Sequence, residues 1–291
     1  MVAVKPCHAH TLQELVGKTA AVYSLPLIYE RLTAVINHPR SSIADITRVI
    51  SEDQGLSARL LKLANSPLFG YFSRIDSISM AATIIGTQQL QALALAVSVK
   101  EAFSGIPEEP IGMKSFWRHS IACASMARAL ATYRREINVE RVFAAGLLHD
   151  VGRLVMCSTI PGIILEMIDA SRVHDSLLFD SEFSRLGFTH ADLGSALLTK
   201  WNIPLNIIEP VACHHTPRSA GKFFVEAALI HLADIICKAL EMGSSGERFV
   251  PPLERTAWDS LGIPAAALAV IVRQVRPQLA ETLTILGEST P

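Results

Sequence analysis

Apolar residues recur along most of the chain at the spacing that places them on one face of an α-helix. Ile28, Leu32, Val35 and Ile36 form one such series, and similar series follow it to the end of the sequence. The alternation of apolar and polar residues between turn residues, which is typical of a half-buried strand, is not found. The sequence therefore predicts an all-α fold.

Capping residues mark several of the predicted helix starts. Ser42 with Asp45, and Thr189 with Asp192, have the spacing of a capping box, in which each side chain bonds the backbone N–H of the other residue. In the second half of the chain the pattern predicts helices over 115–134, 139–157, 161–171, 190–201, 205–214, 223–240 and 265–286.

Residues 106–112 are the best candidate linker, because their sequence, IPEEPIG, contains two prolines and two glutamates. This linker would separate an N-terminal helical subdomain, 23–106, from a second helical subdomain, 113–242. Residues 1–22 are predicted to be an N-terminal tail, and residues 243–291 a C-terminal helical cap.

Composition and charge exclude several classes of protein. Apolar residues make up 50% of the 291 positions and charged residues 18%, which excludes a disordered chain. The 26 basic and 27 acidic residues leave a net charge of -1, so a nucleic-acid partner is not expected. No apolar run reaches the ~18 residues that span a bilayer, and the N-terminus lacks the pattern of a signal peptide. We therefore expect a cytoplasmic protein without a membrane partner.

The five cysteines are widely spread and form no C-x-x-C pair, which disfavours a disulfide framework or a cysteine-rich zinc site. No Gly-rich phosphate loop is present either, which disfavours a nucleoside triphosphatase. The candidate chemistry instead lies in the histidines.

His149 and Asp150 follow an apolar run at 143–148. Neighbouring residues of a helix point about 100° apart, so both side chains could reach one ion at the end of the helix. An imidazole nitrogen together with a carboxylate suits zinc, iron or manganese better than calcium. A polar pair at a helix end is the alternative interpretation of this dipeptide.

His214 and His215 form a second pair at a predicted helix end. Burying two unpaired imidazoles would be costly, and one metal ion would satisfy both. Exposure at the surface is the alternative for this pair.

Further candidates are His190 in the first turn of a predicted helix, His119 beside Trp117, and Asp234 in an otherwise apolar helix. A buried acid such as Asp234 needs a partner, and a metal or a histidine would supply one. His231, one turn before Asp234, is interpreted as a core residue outside the ligand set.

The order of these residues along the chain resembles that of the HD superfamily of metal-dependent phosphohydrolases, and it is similar to the ligand order of the HD-GYP cyclic-dinucleotide phosphodiesterases. The wider sequence resembles the HDOD family, the HD-related output domains of bacterial signalling proteins. The motifs that carry this second resemblance are LPL at 25–27, SARLLKLANS at 57–66, IDSISMA at 75–81, FWRHS at 116–120, AGLLHDVGRL at 145–154, HADLG at 190–194 and WNIP at 201–204.

The resemblance implies an N-terminal helical bundle packed on an HD-type helical domain with a metal site. The site would hold one or two divalent transition-metal ions, with iron, manganese, zinc and nickel as the candidates. The implied ligands of a first ion are His119, His149, Asp150 and Asp234. The implied ligands of a second ion are His190, His214 and His215, with Asp150 as a bridge.

Two departures separate this sequence from the HD-GYP enzymes. Arg153 stands where those enzymes have a lysine, and we regard it as a candidate phosphate contact. Thr216, Pro217 and Arg218 follow the double histidine, and no Gly-Tyr-Pro signature comes after them.

The resemblance therefore favours a bacterial signalling or regulatory module that binds a protein partner, with a nucleotide as a second candidate ligand, over an enzyme. A metal-dependent phosphohydrolase acting on a nucleotide or cyclic dinucleotide is the main alternative. Iron-dependent oxidation, which some HD-like folds carry out, is a further alternative without a substrate signal in this sequence.

Overall fold

The structure is a computed structural model that describes residues 10–23, 25, 27–67 and 74–285. All regular elements in these ranges are helices, which confirms the predicted all-α fold. In chain order they are α1 (Leu12–Val22), α2 (Leu27–Asn37), α3 (Ile43–Ser51), α4 (Gln54–Ala64), α5 (Ile78–Ile84), α6 (Thr87–Ala102), α7 (Met113–Tyr133), α8 (Val139–Leu148), α9 (Val151–Thr159), α10 (Pro161–Val173), α11 (Leu178–Leu186), α12 (His190–Lys200), α13 (Leu205–Ala212), α14 (Phe224–Ala239), α15 (Arg255–Leu261) and α16 (Ala265–Ile285). A short 3₁₀ segment, Pro217–Phe223, precedes α14.

Both predicted capping boxes are present, at the starts of α3 and α12. A third one joins Thr11 and Glu14 at the start of α1. The interpretation of 1–22 as a tail is therefore wrong from Thr11 onward. Leu15 and Val16 of α1 are buried, and this helix packs against α9 and α12 of the second half of the chain.

The prediction of one continuous helix over 139–157 is also wrong, because the structure has two helices there. α8 ends at Leu148, Asp150 has the non-helical angles φ -99° and ψ 9°, and α9 begins at Val151. The break turns the chain at His149 and Asp150, and it lets α9 run against α12. Gly152 makes this contact possible, because a Cβ there would lie 1.9 Å from the carbonyl oxygen of His190.

α6 joins the two halves of the molecule. It packs on α2 and α4 of the N-terminal bundle and also on α8, and its residues from Leu90 to Val99 are almost all buried. The predicted linker 106–112 contains no helix, although Ile106 and Ile111 are buried.

Several predicted features extend beyond the described residues, among them the tail 1–22, the subdomain 23–106 and the cap 243–291. Pro26 of the LPL motif lies outside them, and so does Leu286, the last residue of the helix predicted over 265–286. Among the helices that the structure describes, no single one has the length and apolar character needed to cross a membrane.

Candidate metal centre

The break between α8 and α9 positions His149 and Asp150 at the centre of the second half of the chain. The side chain of His149 is held by its own helix, because its Nδ1 lies 2.8 Å from the carbonyl oxygen of Gly146. α7 approaches α8 closely at Gly146, where a Cβ would come within 3.0 Å of the Cα of Ala124. This close contact brings His119 of α7 to the same place.

The first cluster consists of His119, His149, Asp150 and Asp234, all of which are buried. One ligand atom of each residue lies within 4.8 Å of those of the others. The Nε2 atom of His119 is 3.0 Å from Oδ1 of Asp234, and Nε2 of His149 is 3.1 Å from Oδ2 of Asp150. These are the four residues that the family resemblance assigns to a first ion.

The second cluster consists of His190, His214 and His215. The Nε2 atom of His190 lies 3.3 Å from that of His214 and 3.1 Å from that of His215. The Oδ1 atom of Asp150 lies 3.0 Å from Nε2 of His190, so the carboxylate of Asp150 contacts both clusters. The structure therefore brings all seven predicted ligands together.

Three of the histidines present a lone pair to this centre. The Nδ1 atom of His190 faces Oε2 of Glu182 at 2.6 Å, and Nδ1 of His214 faces the carbonyl oxygen of Val211 at 2.7 Å. Since His149 Nδ1 also faces a carbonyl oxygen, each Nδ1 carries and donates the proton when its ring is neutral, and Nε2 of that neutral ring can bind a cation. Metal-binding histidines have this arrangement, in which the second ring nitrogen donates to a carbonyl or a carboxylate.

Several buried atoms at the centre make no well-formed hydrogen bond, among them Nε2 of His149 and both carboxylate oxygens of Asp150. The oxygens of Asp150 instead face Nε2 of His149 at 3.1 Å and Nε2 of His190 at 3.0 Å. Burying an unsatisfied carboxylate is costly, and a divalent cation between these atoms would remove that cost. The donor set of imidazole nitrogens and carboxylate oxygens suits a divalent transition metal. The residues present therefore fit the ion that the family resemblance implies.

The electrostatics of the centre favour ionised carboxylates. Burial raises the pKa of Asp150, but His149 and Arg153 outweigh it and hold this pKa well below its usual range. For Asp234, burial also raises the pKa, and Lys238 and the neighbouring histidines outweigh it in the same way.

The histidines differ in their protonation. Burial, together with His149 and His190, holds the pKa of His214 well below its usual value, so this ring is neutral at pH 7. Burial lowers the pKa of His149, but the carboxylate of Asp150 more than offsets this effect and raises the value well above its usual level. A proton and a cation therefore compete for Nε2 of His149.

Glu182 of α11 is a residue of the centre that sequence reasoning missed. It is fully buried, and its Oε2 accepts hydrogen bonds from the backbone N–H of His190, at 2.8 Å, and from Nδ1 of the same residue. Leu178 and Leu186, four residues before and after it in α11, are also buried, so Glu182 lies on the apolar face of that helix and its spacing is a sign of burial that the sequence contains. Its role is to orient the ring of His190.

Arg153, the candidate phosphate contact, is fully buried next to Glu182. Its Nε donates to Oε1 of Glu182 at 3.1 Å, and its Nη1 donates to Oγ of Ser245 at 2.7 Å. Nη1 also lies 3.7 Å from Oδ2 of Asp150, whereas Nη2 has no hydrogen-bond partner. Two of the three guanidinium nitrogens are thus engaged by the protein itself.

Lys238 is a second residue of the centre that was not predicted from the sequence. It lies one turn after Asp234 in α14, and its Nζ donates to Oδ2 of Asp234 at 2.6 Å. Its side chain is only 5% exposed. The spacing of four residues between acid and lysine is a signal that the sequence does contain.

His231 lies outside both clusters. Its Nδ1 donates to the carbonyl oxygen of His214 at 2.8 Å, and its Nε2 accepts from the backbone N–H of Glu254 at 3.0 Å. It therefore supports the segment that carries the double histidine.

Comparison with known proteins identifies related sequences and folds. The profile of the HDOD domain matches residues 22–217. An uncharacterized protein of Treponema pallidum (strain Nichols) is 30% identical over 194 residues, which cover 66% of this chain and 37% of that protein. The chain thus spans little more than a third of the length of this relative.

Two solved structures share the fold. An HDOD domain protein of unknown function from Geobacter sulfurreducens superposes with a TM-score of 0.76 at 24% identity, over 94% of this chain and 97% of that one. A candidate phosphohydrolase from Shewanella amazonensis SB2B superposes with a TM-score of 0.73 at 25% identity, over the same shares of the two chains. Both alignments extend beyond the residues that the domain profile matches.

Proposed function

Because the chain belongs to the HDOD family, we propose that it is a bacterial signalling or regulatory module whose buried centre holds a divalent transition metal. It acts by binding a protein partner or a small ligand rather than by turning over a substrate. The main support for a metal site is that seven imidazole and carboxylate groups lie close together. Several of their buried atoms make no well-formed hydrogen bond within the protein.

Burial of the centre favours a regulatory role over hydrolysis. Of the seven ligand residues, only His215 is partly exposed. Arg153 and Lys238, the cations that could bind a phosphate near the centre, are buried and bonded to Glu182 and Asp234. A phosphate substrate would have to displace Asp234 before Lys238 could bind it, and Nη2 of Arg153, which has no partner, is buried.

The charges around the centre favour one ion over two. With a cation bound in place of the ring protons the imidazoles are neutral; Asp150, Asp234 and Glu182 are then negative and Arg153 and Lys238 positive, so these residues carry one net negative charge. One divalent ion brings the centre close to neutrality, whereas two would leave a large buried positive charge. We therefore propose that a single ion is the favoured state.

The centre also connects distant parts of the fold. His119 comes from α7, His190 from α12 and Asp234 from α14, while His149 and His214 lie at the ends of α8 and α13. When bound, a divalent ion supplies a fixed positive charge and a Lewis acid. The residues of the chain hold the five helices around that charge, so metal binding and folding are coupled.

A phosphohydrolase acting on a nucleotide or a cyclic dinucleotide is the second candidate function. The complete ligand set favours it. The name of the Shewanella amazonensis SB2B protein, which has the same fold, also points to this class. The cytoplasmic location expected from the sequence stays a prediction under either function.

An activity screen separates the two candidates. The purified protein is supplied with manganese, iron, nickel or magnesium and offered nucleotides, cyclic dinucleotides and a chromogenic phosphodiester. His149→Ala is tested in parallel with a control variant, His174→Ala, which replaces an exposed histidine outside the centre. We expect metal to be retained and no turnover above the background. Turnover that is lost in His149→Ala and kept in His174→Ala would refute the regulatory proposal and establish the hydrolase.

A further inference from the structure

A cleft of about 580 Å³ lies between the N-terminal bundle and the second half of the chain. Its floor is apolar and includes Leu93 and Val97 of α6, Trp117 of α7 and Leu147 of α8. Its volume falls within the range of small-molecule sites, which is roughly 300–1,000 Å³. None of the seven ligand residues of the metal centre lines it, so the cleft is a separate feature of the molecule.

Basic residues outnumber acidic ones among the residues that line this cleft. The charged residues of the lining are Arg59, Lys62, Lys100, Lys114, Glu101 and Glu108. Both carboxylates are already engaged, since Glu101 accepts a hydrogen bond from Arg59 at 2.7 Å and Glu108 accepts one from the backbone N–H of Met113 at 2.8 Å. Lys62 and Lys114 are exposed. The entrance therefore has a positive potential that favours an anion.

We propose that this cleft binds a small amphipathic organic anion. The apolar body of the ligand packs between α6 and α7 against Val97 and Trp117, and its carboxylate or phosphate group lies at the entrance near Lys62 and Lys114. An apolar cavity with a few charged groups at one end is the arrangement that recognises such a molecule.

The ligand is a free molecule rather than a lipid within a membrane. A membrane-binding surface needs large apolar side chains that protrude into the bilayer. In the described part of the chain the exposed large apolar residues, such as Val22, Ile137 and Val173, lie outside the lining of the cleft. Its own apolar residues are recessed, with Trp117 only 5% exposed.

Tryptophan fluorescence tests the proposal, because Trp117 lines the cleft. The full chain is titrated with decanoate, decyl phosphate and the uncharged 1-decanol, all below the concentrations at which they form micelles or separate. We expect both anions to bind saturably, with one molecule per chain. The affinity for 1-decanol should be about five- to tenfold lower, because the alcohol loses two exposed charge contacts.

Matched variants locate the site. Lys62→Ala combined with Lys114→Ala should weaken decanoate binding by about five- to tenfold. Lys18→Ala combined with Lys200→Ala, which removes two exposed lysines outside the cleft, should leave the affinity unchanged. Ala96→Phe, which places a ring in the cleft, should abolish binding, with circular dichroism as the check that this variant is folded.

Three results would overturn the proposal. The first is decanoate binding that is absent, or no tighter than that of 1-decanol. The second is an affinity that the loss of Lys62 and Lys114 leaves unchanged. The third is sedimentation with vesicles of phosphatidylcholine and phosphatidylglycerol that depends on the same two lysines, because it would assign the surface to a membrane. The paired-lysine variant changes only exposed side chains and is checked by circular dichroism in the same way, so these outcomes do not depend on Ala96→Phe.

Discussion

Replacing Glu182 by glutamine tests whether this residue orients His190. Both oxygens of Glu182 accept hydrogen bonds, Oε2 from the backbone and ring N–H groups of His190 and Oε1 from Nε of Arg153. Glutamine keeps the size of the side chain but replaces one acceptor by an NH₂ group. Whichever way the amide turns, its N–H groups then face the donors of either His190 or Arg153.

The contacts of Glu182 set the size of the expected effect. Breaking a fully buried ion pair by removing one partner costs about 3–5 kcal/mol of unfolding free energy, and the Glu182–Arg153 pair is fully buried. Loss of the residue that orients a ligand histidine lowers metal affinity by about 10- to 100-fold. That loss corresponds to about 1.4–2.7 kcal/mol of binding free energy.

Two assays measure these effects separately. Urea unfolding of the metal-free protein gives the change in stability, and competition with a chromophoric chelator gives the change in metal affinity. Glu166→Gln is the control, because Glu166 pairs with Arg185 at 3.1 Å through a side chain that is 64% exposed. We expect it to change stability by less than about 1 kcal/mol and to leave metal affinity unchanged. A Glu182→Gln protein that binds metal as tightly as the wild type would refute the orienting role.

Two further substitutions test the close packing and the charge balance of the centre. Gly152→Ala would place a Cβ 1.9 Å from the carbonyl oxygen of His190, so we expect urea unfolding to show a loss of at least about 3 kcal/mol. Gly162→Ala is the control, because no atom lies within 4 Å of its new Cβ, and the free energy of unfolding should stay unchanged or rise by about 0.4–1 kcal/mol. Equal effects of Gly152→Ala and Gly162→Ala would contradict the packing argument. Lys238→Met removes the cation paired with the buried Asp234, so metal-free protein should lose about 3–5 kcal/mol, and added metal should raise its melting temperature more than that of the wild type. A metal-induced shift no larger than the wild-type shift would contradict the charge argument.

The candidate ligand residues could be selected from the sequence because their types are distinctive. A His-Asp pair, a His-His pair and an acid in an apolar helix stand out in a chain whose pattern is otherwise that of a helical core. Their order along the chain then matched a known family. The helical fold was predictable for a similar reason, since the spacing of apolar residues reports directly on helix faces.

The contacts of the supporting residues could not be predicted, because they depend on long-range packing, although the helical spacing of Glu182 and of Lys238 is present in the sequence. Glu182 and Ser245 contact Arg153 from positions 29 and 92 residues away in the chain. The break at Asp150 follows the helical run of α8 without a proline, and the polar pair His149 and Asp150 is its local signal, which the helix predicted over 139–157 overlooked. The helix α1 differs from these cases, because Thr11 and Glu14 have the spacing of a capping box that the interpretation as a tail overlooked.

Elemental analysis of freshly purified protein tests the metal centre most directly. Wild-type protein is compared with His149→Ala, with His214→Ala and with the control His174→Ala, each purified without chelators. We predict about one divalent transition-metal ion per chain in the wild type and the control, and its loss in both centre variants. Wild-type protein that carries no such ion, and takes none up from iron, manganese, zinc or nickel, would contradict the account.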